Sequence, residues 1–473
     1  MSAPLDIRAG SNPAYPSGPK LLRRIASRIL LGTARRQTPA DFMRSVAREH
    51  GDLNYYAVGN RRIYQLNHPD LVADFFGRDA KHHHRNLAMR QARDVLGNGL
   101  LTSEEPLHMR QRRLAQPAFL RQRIAGYGEV IGSKTLAMTA QWKSGTIVNM
   151  HTQMLELALC IVGKCLFDLD EVEDMAAMES AVNAFMNLLP LSFLPFNKLI
   201  QRLPIAPMRR LRDGKQHLDR LIYGILAERR ADPRDRGDLL SMLLNASDTG
   251  ADTSADPDTS ADNAPQRMTD TQLRDECVTV ILAGHETTAN ALSFALALLA
   301  RHPDVQQRLH DEAAEALHDN APTAAHYTKL PYATQVFAEA MRLYPPVWVT
   351  GRMAAEPYDI AGFHVAAGAS IMAPQYAVHT DERWWPDPLR FDPERFTEAA
   401  KATRPRNAYF PFGGGSRQCI AEGLAWMEGT LALAAIARDW QLSLPPGQPA
   451  HIDCKASITL RPADSVPLLV TRR

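Results

Sequence analysis

One cysteine of this chain stands where it could bind a metal and tune its chemistry. Cys419 follows a glycine-rich loop, residues 412–418, and precedes a helix-forming run that begins near Ala421. A thiol at a helix N-terminus faces the positive end of the helix dipole, so we expect its thiolate form to be favoured. A thiolate donates electron density strongly to a soft metal, and at a haem iron this donation favours O–O cleavage. Isolated cysteines are more often inert core residues, so other motifs must support this one.

A second group with chemical potential lies inside a long predicted helix. Gly284 comes one turn before Thr287 on the same helix face. Glycine in a helix interior costs ~1 kcal/mol relative to alanine, and its missing side chain leaves room for a flat cofactor or a small ligand such as O2. Glu286 next to Thr287 supplies an acid and an alcohol, the parts of a proton relay. The alternative is a helix-packing position with a threonine that is bonded to its own backbone.

A third pattern is a pair of opposite charges. Glu339 and Arg342 are three residues apart, so they share a helix face. Such a pair is by default a solvated surface bridge. It is followed, however, by Pro345 and Pro346 and then by the segment 391–396, which contains a further arginine.

The cysteine loop resembles the ligand loop of the cytochrome P450 family, whose pattern is Phe-x-x-Gly-x-Arg-x-Cys-x-Gly. Phe412, Gly415, Arg417 and Cys419 fit this pattern at the right spacing. Ala421 stands where the family has its last glycine, which adds one methyl group where the helix approaches the haem. On this resemblance Cys419 is the axial ligand of the iron.

The other two motifs resemble the same family, and all of them follow the family order from about residue 53 to the C-terminus. Residues 283–288, AGHETT, are similar to the oxygen-activation motif. This likeness implies that Thr287 is the catalytic alcohol, that Glu286 is its acidic partner, and that Ala283 and Gly284 border the cofactor. The family's buried ion-pair network corresponds to Glu339, Arg342 and Arg395.

The resemblance also implies binding residues around the cofactor and the substrate. The candidates for binding the two haem propionates are His108, Arg112, Arg352 and Arg417. The candidates for the substrate pocket are Val280, Ala283, Val347, Trp348 and Val349. Further substrate-contact regions map to residues 87–101 and to the apolar segment 185–207. A hydrophobic substrate, either a terpenoid or a fatty-acid-like compound, is therefore expected.

The family implies a haem b monooxygenase that inserts one oxygen atom from O2 into its substrate. Only 54 residues follow Cys419, so electrons derived from NAD(P)H would come from a separate ferredoxin or flavodoxin-type protein. Two alternatives remain: a peroxide-driven peroxygenase of the same fold, and a haem-binding sensor or carrier without catalysis. The pair Glu286 and Thr287 argues against both, because neither activity requires a proton relay.

The composition agrees with an intracellular enzyme. Lys and Arg number 54 against 52 for Asp and Glu, which gives no reason to expect nucleic-acid binding. Five cysteines are few and odd in number, as in reduced cytoplasmic proteins. No stretch approaches the ~20 apolar residues of a transmembrane anchor. The basic segment 21–31 is expected to be a surface helix or, alternatively, a peripheral membrane contact.

The secondary-structure pattern predicts one mainly α domain over residues 1–473 with small peripheral β-sheets, the cytochrome P450 fold. Residues 1–45 form an N-terminal extension, and the acidic segment 246–267 is a mobile surface loop. Strands at residues 53–58 and 62–66 form a hairpin, and strands at 358–365 and 369–373 form a second one. The long helix runs from Leu273 to about Ala300 behind a capping box at residues 269–272.

Two clusters of basic residues carry weaker signals. Residues 81–85, KHHHR, lack a nearby cysteine or acid with zinc-like spacing, so a solvated loop is predicted. The arginines at positions 110, 113, 121 and 123 are either a polar helix face or, on the family resemblance, a docking surface for an acidic electron carrier.

Overall fold

The computed structural model describes residues 4–19, 38–169, 206–248, 266–449 and 451–473. About 54% of the described residues are helical and the sheets are small, which confirms the prediction of a mainly α fold. The helices in chain order are α1 Pro39–His50, α2 Pro69–Phe76, α3 Leu87–Leu96, α4 Leu107–Ala115, α5 Arg121–Thr139, α6 Met150–Phe167, α7 Ala206–Ala231, α8 Leu239–Asn245, α9 Asp270–Leu299, α10 Pro303–Leu317, α11 Ala324–Tyr327, α12 Pro331–Leu343, α13 Gln375–Val378, α14 Glu398–Ala402 and α15 Glu422–Asp439.

The strands form one five-stranded sheet, one three-stranded sheet and three two-stranded sheets within the described residues. In chain order the strands are β1 Leu53–Val58, β2 Arg61–Leu66, β3 His83–Arg85, β4 Thr146–Asn149, β5 Ser247–Asp248, β6 Gln266–Arg267, β7 Thr350–Ala354, β8 Tyr358–Ile360, β9 Phe363–Val365, β10 Ser370–Ala373, β11 Trp440–Ser443, β12 Cys454–Ala456, β13 Leu460–Pro462 and β14 Pro467–Arg472. The largest sheet has the order β1-β2-β10-β7-β3.

The long helix α9 is the central element of the core. Its N-terminus carries the predicted capping box, in which Thr269 accepts from the Gln272 amide and the Gln272 side chain accepts from the Thr269 amide. Both contacts satisfy amides that would otherwise lack partners at the start of the helix. The helix packs against α6, α7, α12 and α15, and most of its residues are buried. This helix therefore holds its central motif firmly in the interior.

The first predicted hairpin is confirmed, and the second is wrong in its pairing. β1 and β2 pair through the turn at Gly59 and Asn60. Segment 358–365 is itself a hairpin, β8 with β9, because Ala361 (φ 48°) and Gly362 (φ 85°) adopt the left-handed conformations of a tight two-residue turn. β10 instead lies between β2 and β7 in the five-stranded sheet.

The predicted chain ends and loops are described in part. The basic segment 21–31 lies outside the described residues, as do residues 249–265 of the predicted acidic loop. The two ends of that loop, β5 and β6, pair with each other. The predicted boundary at residue 45 falls inside α1, whose Ala40, Met43 and Val46 are buried. Residues 4–19 pack beside β1, where the ring of Tyr15 stacks on that of Tyr55.

One helix in the described part of the chain has the length and hydropathy to cross a membrane. This helix is α6, and 61% of its apolar window is buried inside the protein. Its main neighbour is α9. A buried helix of this kind belongs to the protein core.

Candidate active site

The cysteine loop is shaped by close contact with the end of α2. Gly415 has a φ of +67°, and a Cβ there would overlap the carbonyl oxygen of Phe76. A Cβ at Gly414 would come within 2.9 Å of the Phe76 ring. The loop closes when the Cys419 amide donates to the Phe412 carbonyl at 3.0 Å. The glycines thus allow a backbone path that no larger residue could follow, and this path presents the thiol three residues before α15 begins.

The prediction that Cys419 favours the thiolate form is wrong for the protein without a metal. The thiol is accessible on one side. Desolvation by the surrounding protein nevertheless disfavours the charged form and raises the pKa of the Cys419 thiol to about 11. A hydrogen bond from the Ala421 amide and the charge of Arg112 lower the pKa only in part. Binding to a metal deprotonates a thiol, so the thiolate would form together with the complex.

Three of the predicted haem-binding side chains converge beside this loop. Arg417 donates to the Ser103 carbonyl at 3.0 Å, and Arg352 donates to the Gly351 carbonyl at 3.1 Å. Burial and, to a smaller extent, the nearby charge of Arg417 lower the pKa of Arg352 to about 10. His108 is 1% exposed, and burial lowers its pKa to about 4, so its ring is neutral and contacts Glu105 at 2.9 Å. The predicted residues His108, Arg352 and Arg417 are therefore neighbours.

Arg85 is a member of this cluster that the sequence analysis missed. It is 7% exposed and lies directly opposite Arg352 in the pairing of β3 with β7. The prediction of a solvated loop at residues 81–85 is therefore wrong, because residues 83–85 form β3 of the five-stranded sheet and Arg85 is buried. Burial, Arg352 and Arg417 lower the pKa of Arg85 well below its usual range. Its Nε has no hydrogen-bond partner among the described residues.

The cluster has the charge and burial expected for an anion site. Like charges directly opposite each other in a sheet are destabilising, and buried charges require partners. The nearest acids are Glu104 and Glu105, which lie 3.7 and 3.5 Å from Arg417 and are partly exposed. Arg85, Arg352 and Arg417 thus bring three guanidinium groups together against two peripheral carboxylates. This imbalance fits a haem, whose two propionates would add two negative charges.

Arg112 occupies a different position from the cluster. It donates to the Gln418 carbonyl at 2.7 Å, and the charge that most affects it is that of Cys419. Phe412, which packs on the ring of Trp426, lies on the same loop. Arg112 therefore supports the loop that carries the thiol, and its predicted contact with a propionate stays a prediction.

The motif of α9 has an open face and a buried face. Ala283 is exposed although its neighbours Leu282 and His285 are buried. The Thr287 hydroxyl donates to the Ala283 carbonyl at 2.6 Å. This is the hydrogen bond to its own helix backbone that the packing alternative predicts. Glu286 is 6% exposed and accepts from Thr459 at 2.9 Å. The acid and the alcohol thus have separate partners in this structure, and the predicted relay stays a prediction.

Packing between two helices requires glycine at position 284, which the sequence did not reveal. A Cβ at this position would lie 2.9 Å from Cγ2 of Val162 on α6. Glycine therefore lets α9 and α6 approach closely. Its predicted role in making room for a cofactor remains a prediction.

The ion-pair network has the predicted members. Arg342 binds Glu339 in a bidentate pair, with Nε–Oε2 at 2.6 Å and Nη2–Oε1 at 2.7 Å, and both side chains are 0% exposed. Arg395 adds a contact to Glu339 Oε1 at 3.5 Å. Arg342 also donates to the carbonyls of His379 and Pro388. The alternative of a solvated surface pair is therefore wrong, since the network joins α12 to the segment before the cysteine loop.

The predicted substrate residues have different environments. Val347 is exposed, whereas Val349 and Val280 are half-buried against hydrophobic clusters. Trp348 is 8% exposed and donates from its indole nitrogen to the Ser457 carbonyl at 3.0 Å. These contacts give Trp348 a packing role, and its predicted contact with substrate is not supported by them. Residues 185–205 of the predicted apolar segment lie outside the described residues.

Comparisons with known proteins agree with this geometry. The cytochrome P450 family model matches residues 16–468. Cyclooctatin synthase of Streptomyces melanosporofaciens is 34% identical and covers 91% of both chains. Pentalenene oxygenase of Streptomyces avermitilis is 32% identical over 86% of this chain and 88% of that protein. The crystal structure of the cytochrome P450DA heme domain superposes with a TM-score of 0.80 at 26% identity, covering 94% of this chain and 95% of that one. The chain thus belongs to the cytochrome P450 family and is a cytochrome P450 monooxygenase.

Proposed function

We propose that this enzyme uses haem b to insert one oxygen atom from O2 into a terpenoid. The observation that carries the haem assignment is the cluster of buried arginines beside the loop of Cys419. When bound, the haem would supply the iron that activates O2. Cys419 would bind that iron, and Arg85, Arg352 and Arg417, with His108 as a neutral hydrogen-bonding group, would hold the propionates.

The proposed substrate class is supported by the names of three relatives. Two of the relatives described above are named for terpenoid products or substrates, cyclooctatin and pentalenene. A third, cyclooctat-9-en-7-ol 5-monooxygenase of Streptomyces melanosporofaciens, is 32% identical and covers 86% of both chains. A cyclic terpenoid is therefore a better candidate than a fatty acid. The exposed Ala283 and the half-buried Val280, which lie on one face of α9, are suited to an apolar molecule.

We further propose that a separate ferredoxin or flavodoxin-type protein, supplied with electrons by NAD(P)H, reduces the enzyme. Of the four arginines of the predicted docking surface, Arg110 is half-buried, whereas those at positions 113, 121 and 123 are exposed. Arg123 lies 3.4 Å from Asp235. Such positive charge suits an acidic partner. The proposed location is the cytoplasm.

The proposed function is tested with purified holoenzyme and a bacterial ferredoxin with its reductase. Pentalenene and cyclooctat-9-en-7-ol are added in turn, and the ferric spin-state spectrum is recorded before product analysis. We expect a shift to high spin and NADPH-dependent hydroxylated product. Product that forms only with added peroxide would favour a peroxygenase, and failure of every cyclic terpenoid would contradict the substrate class.

Thr287 is expected to control how efficiently electrons reach the product. In Thr287→Ala the fold should persist, because one hydroxyl contributes only ~1 kcal/mol net. Loss of a positioned proton donor should lower the ratio of product formed to NADPH oxidised by about tenfold or more. Thr288→Ala, a change at the adjacent buried threonine, is the matched control. An unchanged ratio in Thr287→Ala would show that Thr287 serves only packing.

Arg85 is expected to strengthen haem binding. A hydrogen bond to a charged group is worth about 1.5–3 kcal/mol, so Arg85→Ala should lose haem to apomyoglobin roughly tenfold faster than the unmodified enzyme. Arg78→Ala is the control, because Arg78 is 61% exposed and pairs with Asp74 and Asp79. Equal rates of haem transfer in both variants would show that Arg85 does not help to bind the haem.

A further inference from the structure

The loop that joins α3 to α4, residues 97–106, connects the cationic cluster to α9. At one end Arg417 donates to the Ser103 carbonyl and Arg85 donates to the Leu100 carbonyl at 3.1 Å. At the other end the loop contacts the first turns of α9. This α3–α4 loop therefore borders the proposed haem site and the helix that carries the oxygen-activation motif.

Two consecutive acids of α9 bind the backbone of this loop. The Asn98 amide donates to Oδ2 of Asp275 at 2.7 Å, and the Leu100 amide donates to Oε2 of Glu276 at 2.9 Å. Arg274 supports them by donating to Asp275 at 2.9 Å and to the Leu96 carbonyl at 3.1 Å. Two adjacent residues of α9 thus accept hydrogen bonds from the amides of loop residues 98 and 100.

Two glycines allow the loop to approach α9 this closely. Gly97 has a φ of +81°, and a Cβ there would overlap the carboxylate of Asp275. A Cβ at Gly99 would overlap the Thr279 hydroxyl and lie 2.6 Å from the Asp275 carbonyl oxygen. A side chain at either position would push the loop away from α9. The close contact between loop and helix therefore requires glycine at both positions.

The Glu276 side chain is almost completely enclosed. It is 1% exposed, and burial raises its pKa to about 8. Its Oε1 has no hydrogen-bond partner within the described part of the chain. The carboxyl is thus mostly neutral at pH 7, and a glutamine could replace it with little change in charge or shape. This makes Glu276→Gln a matched control for removal of the side chain.

Glu276 is also on the face of α9 that carries the exposed Ala283. The two residues are seven positions apart, which is two helical turns or about 10 Å. Val280, half-buried, lies between them on that face. A loop fastened at Glu276 is thus held close to the part of α9 that the substrate is proposed to contact.

We propose that Asp275 and Glu276 are positioning residues that fix the α3–α4 loop against α9 and so determine which atoms of the substrate are oxidised. The second part of this inference rests on the proposed terpenoid monooxygenase function. The first part, the attachment of the loop, is independent of the substrate. Neither residue is assigned to the reacting atoms; both act through the loop.

Hydrogen exchange of the haem-loaded full chain without substrate tests the attachment. In Glu276→Ala the Leu100 amide should exchange roughly tenfold faster, because its acceptor is lost. Gly99→Ala should have the same effect by pushing the loop outward, and Glu276→Gln should exchange like the unmodified protein. Glu312→Ala is the matched control, since Glu312 accepts from the amides of Tyr332 and Ala333 elsewhere in the fold. Unchanged exchange at Leu100 in both Glu276→Ala and Gly99→Ala would overturn the attachment.

Binding of haem ligands and product analysis test the effect on specificity. In Glu276→Ala the ratio of the Kd of 4-phenylimidazole to that of imidazole should change by about fivefold or more, and Glu276→Gln should restore it. A terpenoid that gives one main product should give several positional isomers in Glu276→Ala. Failure of the unmodified enzyme to oxidise any terpenoid would contradict the proposed function alone.

A change in exchange without any change in the Kd ratio or the product pattern would overturn the specificity role. Haem content and the thermal midpoint are recorded for each variant. If Glu276→Ala does not fold with haem, Gly99→Ala and Asp275→Ala carry the test. Gly99→Ala should speed exchange at Leu100, and Asp275→Ala should speed exchange at Asn98, whose acceptor it removes. Unchanged exchange at both amides would overturn the attachment.

Discussion

Cys419→His is expected to abolish monooxygenase activity and to remove the thiolate-type absorption band of the reduced CO complex. Imidazole can bind iron, so the variant can keep haem. It cannot supply the electron donation of a thiolate, which favours O–O cleavage. The loop geometry set by the Cys419 amide and the Phe412 carbonyl would present the new side chain at the same backbone position. Absorption spectra of the reduced CO complex and NADPH-dependent product formation measure the two effects.

A second cysteine provides the control. Cys454 is half-buried in β12, away from the glycine-rich loop. Cys454→Ala should keep both the thiolate-type band and the activity. If Cys419→His also kept them, Cys419 would not be the ligand, and the proposed placement of the haem would be wrong.

Glu339→Ala is expected to give little folded, haem-loaded protein. The change would leave the Arg342 guanidinium, which is 0% exposed, without its carboxylate. Breaking a buried ion pair from one side costs roughly 3–5 kcal/mol, a large part of the 5–15 kcal/mol by which a typical protein is stable. The yield of haem-loaded protein and its thermal midpoint measure this loss.

A pair with the same spacing on the protein surface is the matched control. Glu398 and Lys401 are also three residues apart, and the Glu398 side chain is 91% exposed. Glu398→Ala should therefore leave the thermal midpoint almost unchanged, because exposed pairs contribute little to stability. A Glu339→Ala protein with normal yield and thermal midpoint would show that the network does not hold the fold together.

The features that sequence predicted well depend on local signals. The capping box at Thr269 and Gln272 fixes the start of α9, and the turn at Gly59 and Asn60 fixes the hairpin of β1 and β2. The network of Glu339, Arg342 and Arg395 was predicted because its motifs are specific and resemble a known family. In each case a few adjacent residues or a distinctive spacing contain the information.

The features that sequence missed depend on partners far away in the chain. The polar sequence KHHHR predicts a solvated segment, whereas Arg85 is buried by pairing with Thr350–Ala354 and by contacts with Leu100 and Glu104. The sequence predicts that β10 pairs with its neighbour in the chain, although its partners are β2 and β7. The sequence predicts too acidic a Cys419, because helix position is visible in sequence, whereas desolvation by the surrounding protein, which raises the pKa of the thiol, is not.

The place of β10 in the sheet has a consequence for biosynthesis. β2 pairs in parallel with β10, whose first residue, Ser370, comes about 300 residues later. At a synthesis rate of about 5–20 residues per second, the ribosome needs about 15–60 s to produce that partner. During this time the nascent chain presents an unpaired strand edge to other chains. Recombinant yield should therefore depend on chaperone supply during translation, and extra chaperone should raise the soluble fraction even of variants whose native state is fully stable.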